Sequence, residues 1–148
     1  MRRASITLTL LVLAACGDPP SMGTDAADAP RPVDAPAGPG LARDVQPIFT
    51  ARCAVRFCHD HATQANVLDL SEGAAHAALV DVRSQTAACG AFVRVRPGRP
   101  DESYLVWKLA GGGGGCLTGL RMPKNAPPLS EAETSVIRGW IAAGAPAN

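Results

Sequence analysis

Residues 53–60 read CAVRFCHD: two of the chain's five cysteines with four residues between them, and one of its three histidines directly after the second. Just before this octet, ARDVQPIFTAR (42–52) predicts a short helix. Asp44 stands where an N-cap belongs, Pro47 fits the first turn, and Val45, Ile48 and Phe49 share one face. That helix delivers the chain to Cys53.

The clearest helix lies at the other end of the same domain. PPLSEAETSVIRGWIAAGAP (127–146) opens with Ser130 and Glu133 at capping-box spacing and closes at Gly144, with Pro146 beyond. Val136, Ile137, Trp140 and Ile141 form an apolar stripe expected to pack in the core. Between the two, Ser71 is expected to cap a helix through GAAHAALV, and Asp101 one through ESYLVWKL. FVRV (92–95) has strand-like composition but precedes Pro97 and has no partner of similar length, so it reads as an edge strand or extended loop. The glycine run 111–115 needs an outside constraint to stay ordered. The expectation is an all-α domain of several short helices with long loops.

The N-terminal forty residues do not belong to that domain. MRR is a positive n-region, Ile6 to Leu13 a short apolar h-region, and Ala14 and Ala15 are small residues before Cys16. This is the pattern of an export signal, with an apolar run too short to span a membrane. The run LAAC resembles the lipobox of bacterial lipoproteins. That resemblance implies lipidation of Cys16 and an anchor in a membrane, against the alternative of an ordinary secretory signal with an incidental cysteine. From Gly17 to Gly40 the chain is rich in Pro, Ala, Gly and Asp, with four aspartates against Arg31, and reads as a disordered, solvated tether. The organisation is therefore a signal peptide (1–15), a lipidated cysteine with its tether (16–40) and a folded domain (41–148). That domain carries eleven basic and nine acidic residues, too even a balance for a nucleic-acid surface. The expected location is the cell envelope, facing the periplasm or exterior.

Export means an oxidising compartment, in which free thiols tend to pair or be modified. Bridging Cys89 to Cys116 would close a loop of about 27 residues around FVRV and much of the glycine run. A different pairing is the alternative. For Cys53 and Cys58 several readings stand at this point. They are a small local disulfide, a zinc site with His59 and His61, a redox dithiol, or a double thiol attachment with a neighbouring imidazole. The dithiol reading lacks C-x-x-C spacing and an alternation of strands and helices.

The last of these readings has a known form. Covalent haem attachment uses two thiols for the two vinyl groups and a histidine after the second, normally as C-x-x-C-H. Here the pattern is C-x4-C-H, with the Cys58-His59 unit kept and the loop back to Cys53 longer by two residues. With FTARC before the motif, RMP at 121–123 and the closing LSEAETSVIRGWIAAGA, the chain from about Asp44 to Ala147 resembles the small monohaem cytochrome c-like domains of exported bacterial lipoproteins. The resemblance implies that the first and last helices pack together and that Cys53 and Cys58 form thioethers to one haem c. It also implies that His59 is one axial iron ligand and that Met122, the sole methionine of the domain, is the other. His61 and His76 are spare imidazoles that offer bis-histidine ligation should Met122 not serve.

Such a domain carries single electrons between a membrane-bound setting and a redox partner protein, and is not itself an enzyme. The alternative is a haem-free structural or interaction module of the envelope, stapled by disulfides Cys53–Cys58 and Cys89–Cys116. Arg94, Arg96, Arg99, Arg121 and Lys124 suggest either a basic docking face or an ordinary solvated surface.

Overall fold

The computed structural model describes residues 38–148, apart from Gly90, residues 113–115 and residues 117–118. The expected signal peptide, the cysteine expected to be lipidated (Cys16) and nearly all of the expected tether lie outside the described residues. The folded unit is helical. A π-helical turn, Leu41–Val45, runs straight into α1 (Gln46–Arg52). There follow α2 (Ala75–Leu79), a 3₁₀ turn (Ala87–Cys89), a second 3₁₀ turn (Pro100–Glu102), α3 (Tyr104–Ala110) and α4 (Glu131–Ala142). Among the described residues, no helix is long and apolar enough to cross a membrane.

The main core joins the two ends of the unit. Val45, Phe49, Leu79, Ile137, Trp140 and Ile141 are all fully buried within it. α4 packs against the Leu41–Val45 turn, and Arg52 reaches from the end of α1 to Glu133 and to the carbonyls of Pro127 and Pro128. The expected apolar stripe of α4 is therefore a core stripe, with Val136 half-buried at its margin. The capping box is present in full: the Ser130 hydroxyl accepts from the Glu133 N–H, and the Glu133 carboxylate accepts from the Ser130 N–H at 2.7 Å.

The other three caps differ from expectation, each for a local reason. The first helix starts before Asp44, so this carboxylate reaches back to the N–H of Gly40 at 2.8 Å instead of capping a later turn. At α2 it is the Ser71 carbonyl, not its hydroxyl, that accepts from Ala74 and Ala75. At α3 the cap position falls to Ser103, whose hydroxyl donates to the Arg99 carbonyl, while Asp101 turns outward to Arg138 at 2.7 Å.

FVRV forms no strand. It is held by single bridges, Val95 parallel to Val80 and Val93 antiparallel to Arg83. This segment leads to a second, smaller core of Cys89, Tyr104 and Trp107, flanked by Phe92 and Cys116. Phe92 and Tyr104 both stand edge-on to the Trp107 ring, at 5.0 and 6.3 Å between centroids. Cys89 and Cys116 are joined in a disulfide, as the sequence suggested, with Cα atoms 5.7 Å apart. The glycine run begins with Gly111 in the left-handed conformation that ends α3.

Candidate functional site

Cys53 is the C-cap of α1. Its N–H still bonds to Phe49, and its side chain is buried under the main core. The four-residue spacer then has to return to the same place. It does so with a turn from Val55 to Cys58 and a closing bond from the His59 N–H to the Cys53 carbonyl at 3.1 Å. Accommodating the spacer requires Phe57 to adopt φ 67°, a conformation disfavoured for a bulky residue, with its ring turned outward beneath the Arg56 guanidinium. Beyond the octet, the carbonyls of Cys58 and His59 accept from Ala65 and Leu70, which fold the 60–70 loop back against the motif. Arg94 secures that loop from the far side: its buried guanidinium donates to the carbonyls of Asn66, Val67 and Ala78.

A facing wall comes from α3 and the segment after it. Met122 donates its N–H to the Lys108 carbonyl at 2.9 Å, and the Lys108 ammonium reaches the Leu120 carbonyl at 2.7 Å. Arg121 lies across Gly111, where a Cβ would stand 3.2 Å from its Cδ, so the left-handed glycine also admits this arm. Met122 is half-buried and touches the main core.

Between the walls lies a cleft of about 650 Å³, within the range of roughly 300–1,000 Å³ usual for small-molecule and cofactor sites. Cys53, Cys58, His59 and Met122 all line it. Much of the remaining lining is apolar, including Leu68, Leu70, Leu79, Leu105 and Leu109.

Cys53 and Cys58 are free thiols, so the local disulfide is not formed. Burial pushes the Cys53 thiol up to about 11, and nearby Arg52 offsets only part of that. A thiol so held is protonated at neutral pH, which does not suit a redox nucleophile. Among the described residues no group of three or more His, Cys, Asp or Glu is placed to hold a metal ion. His59 is driven toward its neutral form chiefly by burial, against a smaller opposing pull from backbone groups at Leu68 and Ala65. Neutral imidazole is the form that binds metals.

The two spare histidines are committed elsewhere. His61 Nδ1 lies 2.8 Å from Asp69 on the surface, and His76 Nε2 lies 2.9 Å from the Ala145 carbonyl. Neither lines the cleft. The basic face also breaks up, because Arg94 is buried, Arg96 and Arg99 both pair with Glu102, and Arg121 turns to the carbonyls of Met122 and Ala126.

Tyr104 is a cleft residue that the sequence did not single out. Among the described residues two buried side-chain polar atoms lack any hydrogen-bond partner, His59 Nδ1 and the Tyr104 hydroxyl, and both residues line the cleft. Its one signal in sequence is its position four residues before Lys108 on one helix face. Compared with protein-family models, with curated proteins and with solved structures, the chain matches none of them.

Proposed function

We propose that this protein is an envelope electron carrier, tethered to a membrane through Cys16, whose domain of residues 41–148 is cytochrome c-like and holds one covalently bound haem c. The observation that carries the reading is the meeting of Cys53, Cys58, His59 and Met122 on the lining of one cleft. Met122 is 63 residues beyond His59 in the chain, and no local spacing brings it there.

The cleft fits a haem on several counts. Its volume is that of a cofactor site and its lining is largely apolar. Cys53 and Cys58 offer two unpaired thiols for the thioethers, and His59 offers a ring that burial drives toward its neutral form. Met122 offers a thioether sulfur, and methionine ligation favours a higher potential than a second histidine would. His59 and Met122 would hold the iron of such a group from the chain's side, and the group so held would supply single-electron exchange. The chain's own part would be to hold the ring, to keep water from it with the leucines of the lining, and to present the His59 imidazole and the Met122 sulfur. The tether raises the local concentration of the domain near membrane-bound redox partner proteins.

The test is the visible spectrum in alkaline pyridine, after acid-acetone extraction, of the mature protein made in a periplasm with active haem-attachment machinery. Covalent haem c gives a haemochrome band that survives extraction and is lost in Cys58→Ser. A colourless product, from a host that matures a control cytochrome of the same spacer length, refutes the reading in favour of a haem-free envelope module.

A further inference from the structure

We propose that Phe57 is a ligand-packing residue: its ring forms the outer lip of the cleft and lies against the body of the ligand held there, keeping water from it. The proposal rests on the haem reading for the identity of that ligand, a planar and largely apolar ring system anchored at the neighbouring Cys58.

Phe57 is the most exposed of the large apolar side chains among the described residues, at 73%, and it lines the cleft. A phenyl ring left in water adds nothing to the fold, since an apolar group stabilises by the area it removes from solvent. Its backbone is strained as well. At φ 67° it lies in the left-handed region, which a bulky residue adopts only where its surroundings impose it. Closure of the spacer imposes it here, through the bonds from Cys58 to Val55 and from His59 to Cys53.

That closure requires the turn but not the ring. Asparagine or glycine would take the same conformation with less strain. The Arg56 guanidinium, 4.6 Å from the ring centroid, gives Phe57 a weak contact between two exposed side chains, too little to account for an aromatic residue at this place. An apolar partner that arrives with a ligand does account for it.

The neighbours of Phe57 fit the same occupant. Leu120, from the segment after α3, is 58% exposed and lines the cleft, and Val55 does so at 39%. Three of the four exposed large apolar side chains among the described residues thus border the cavity that Cys53, Cys58, His59 and Met122 line. Apolar surface gathered around a cavity marks a binding site, not a solvated face. A molecule seated at Cys58 meets the residue beside it in the chain. A spacer two residues longer than usual therefore gives the cleft an apolar outer wall.

The experiment is an equilibrium titration of the unloaded full chain, disulfide intact, with iron protoporphyrin IX, in wild type, Phe57→Asn and Phe57→Tyr. Near-UV circular dichroism checks the packing of Trp107 and Trp140 in each. Phe57→Asn should bind at least about tenfold more weakly, the scale of losing an aromatic ring's buried area, while Phe57→Tyr keeps the ring and the affinity. The urea midpoint of the unloaded chain should not fall in Phe57→Asn, because asparagine accepts the left-handed backbone and no packing is lost. Unchanged affinity in Phe57→Asn, or equal loss in both variants, would overturn the packing role and leave the haem reading standing. A lower urea midpoint in Phe57→Asn would show the ring serving the fold and would overturn the role too, as would a wild type that attaches haem covalently yet takes up no free porphyrin. If wild type takes up no porphyrin and forms no haemochrome, the haem reading falls, and the three proteins are titrated with the apolar dye 1-anilinonaphthalene-8-sulfonate. Dye binding lost in Phe57→Asn and kept in Phe57→Tyr would uphold the packing role for another apolar ligand; no such difference would overturn it as well.

Discussion

Replacing Cys116 by serine opens the one covalent cross-link of the described domain, and the cost follows from its reach. The bridge spans 27 residues. In the chain-entropy account a loop of that size restricts the unfolded ensemble by about 3.5 kcal/mol at 25 °C. Cys116 is only half-buried, so its serine hydroxyl keeps access to water and adds little further cost. Cys89 differs, being fully buried in the smaller core, and Cys89→Ser should lose an additional 1–3 kcal/mol, roughly, from a desolvated hydroxyl. The assay is urea unfolding of the unloaded chain, read by tryptophan fluorescence. With a slope near 1.5–2 kcal/mol/M, Cys116→Ser should lower the midpoint by about 2 M. The thermal midpoint should fall by roughly 10–20 °C. A Cys116→Ser loss below about 1 kcal/mol, or equal losses for the two variants, would refute the division between loop closure and packing.

Three further outcomes are expected. Ser130→Ala removes the hydroxyl of the α4 capping box and should cost about 1 kcal/mol in the same urea assay; no measurable loss would mean that α4 is held by its buried stripe alone. The Glu133 carboxyl is held below its usual range, first by the backbone N–H of Ser130 and then by its hydroxyl. Its folded value is depressed, so its stabilising contribution is complete above the unfolded carboxylate value near 4 and is lost as pH falls through the folded value. Urea midpoints measured from pH 6 downward should therefore decline below about pH 4, and less steeply in Glu133→Gln, whereas an unchanged slope in that variant would contradict the assignment. In the unloaded chain at pH 8, iodoacetamide should modify the half-buried Cys58 well before Cys53, whose thiol is buried and held near 11; equal rates by mass spectrometry would show that Cys53 is not held as described.

What could be read from the sequence was what is local. The Ser130–Glu133 box and the Val136 to Ile141 stripe lie within one helix, so propensity and packing agree there. The Cys89–Cys116 pairing followed from compartment and flanking positions. Asp44, Ser71 and Asp101 were good cap residues in the wrong frame, because the backbone had already chosen its first turn: the chain enters helically at Leu41, the Ser71 carbonyl serves where a hydroxyl was expected, and a 3₁₀ turn precedes α3. In the site, the four motif residues could be named from their types, but not their surroundings. Arg94 looked like surface charge, yet its long side chain reaches carbonyls on two other segments. Only the tertiary fold selects those partners. Tyr104 was hidden for the same reason, since an orphaned hydroxyl exists only once its neighbours are in place.

The chain enters and leaves this fold at one spot. Ala42 donates to the carbonyl of Asn148 at 2.8 Å, a Cβ on Gly40 would lie 3.3 Å from the Asn148 side chain, and the Trp140 indole clips the tail through the Pro146 carbonyl. Among the described residues, those that line the cleft fall between Arg52 and Ala126. The domain is thus built like a cassette, its two flanks meeting at a seam that shares no lining residue with the cleft. Such a unit can be spliced into a host loop or circularly permuted by joining residue 148 to residue 40, and the cleft travels with it unchanged.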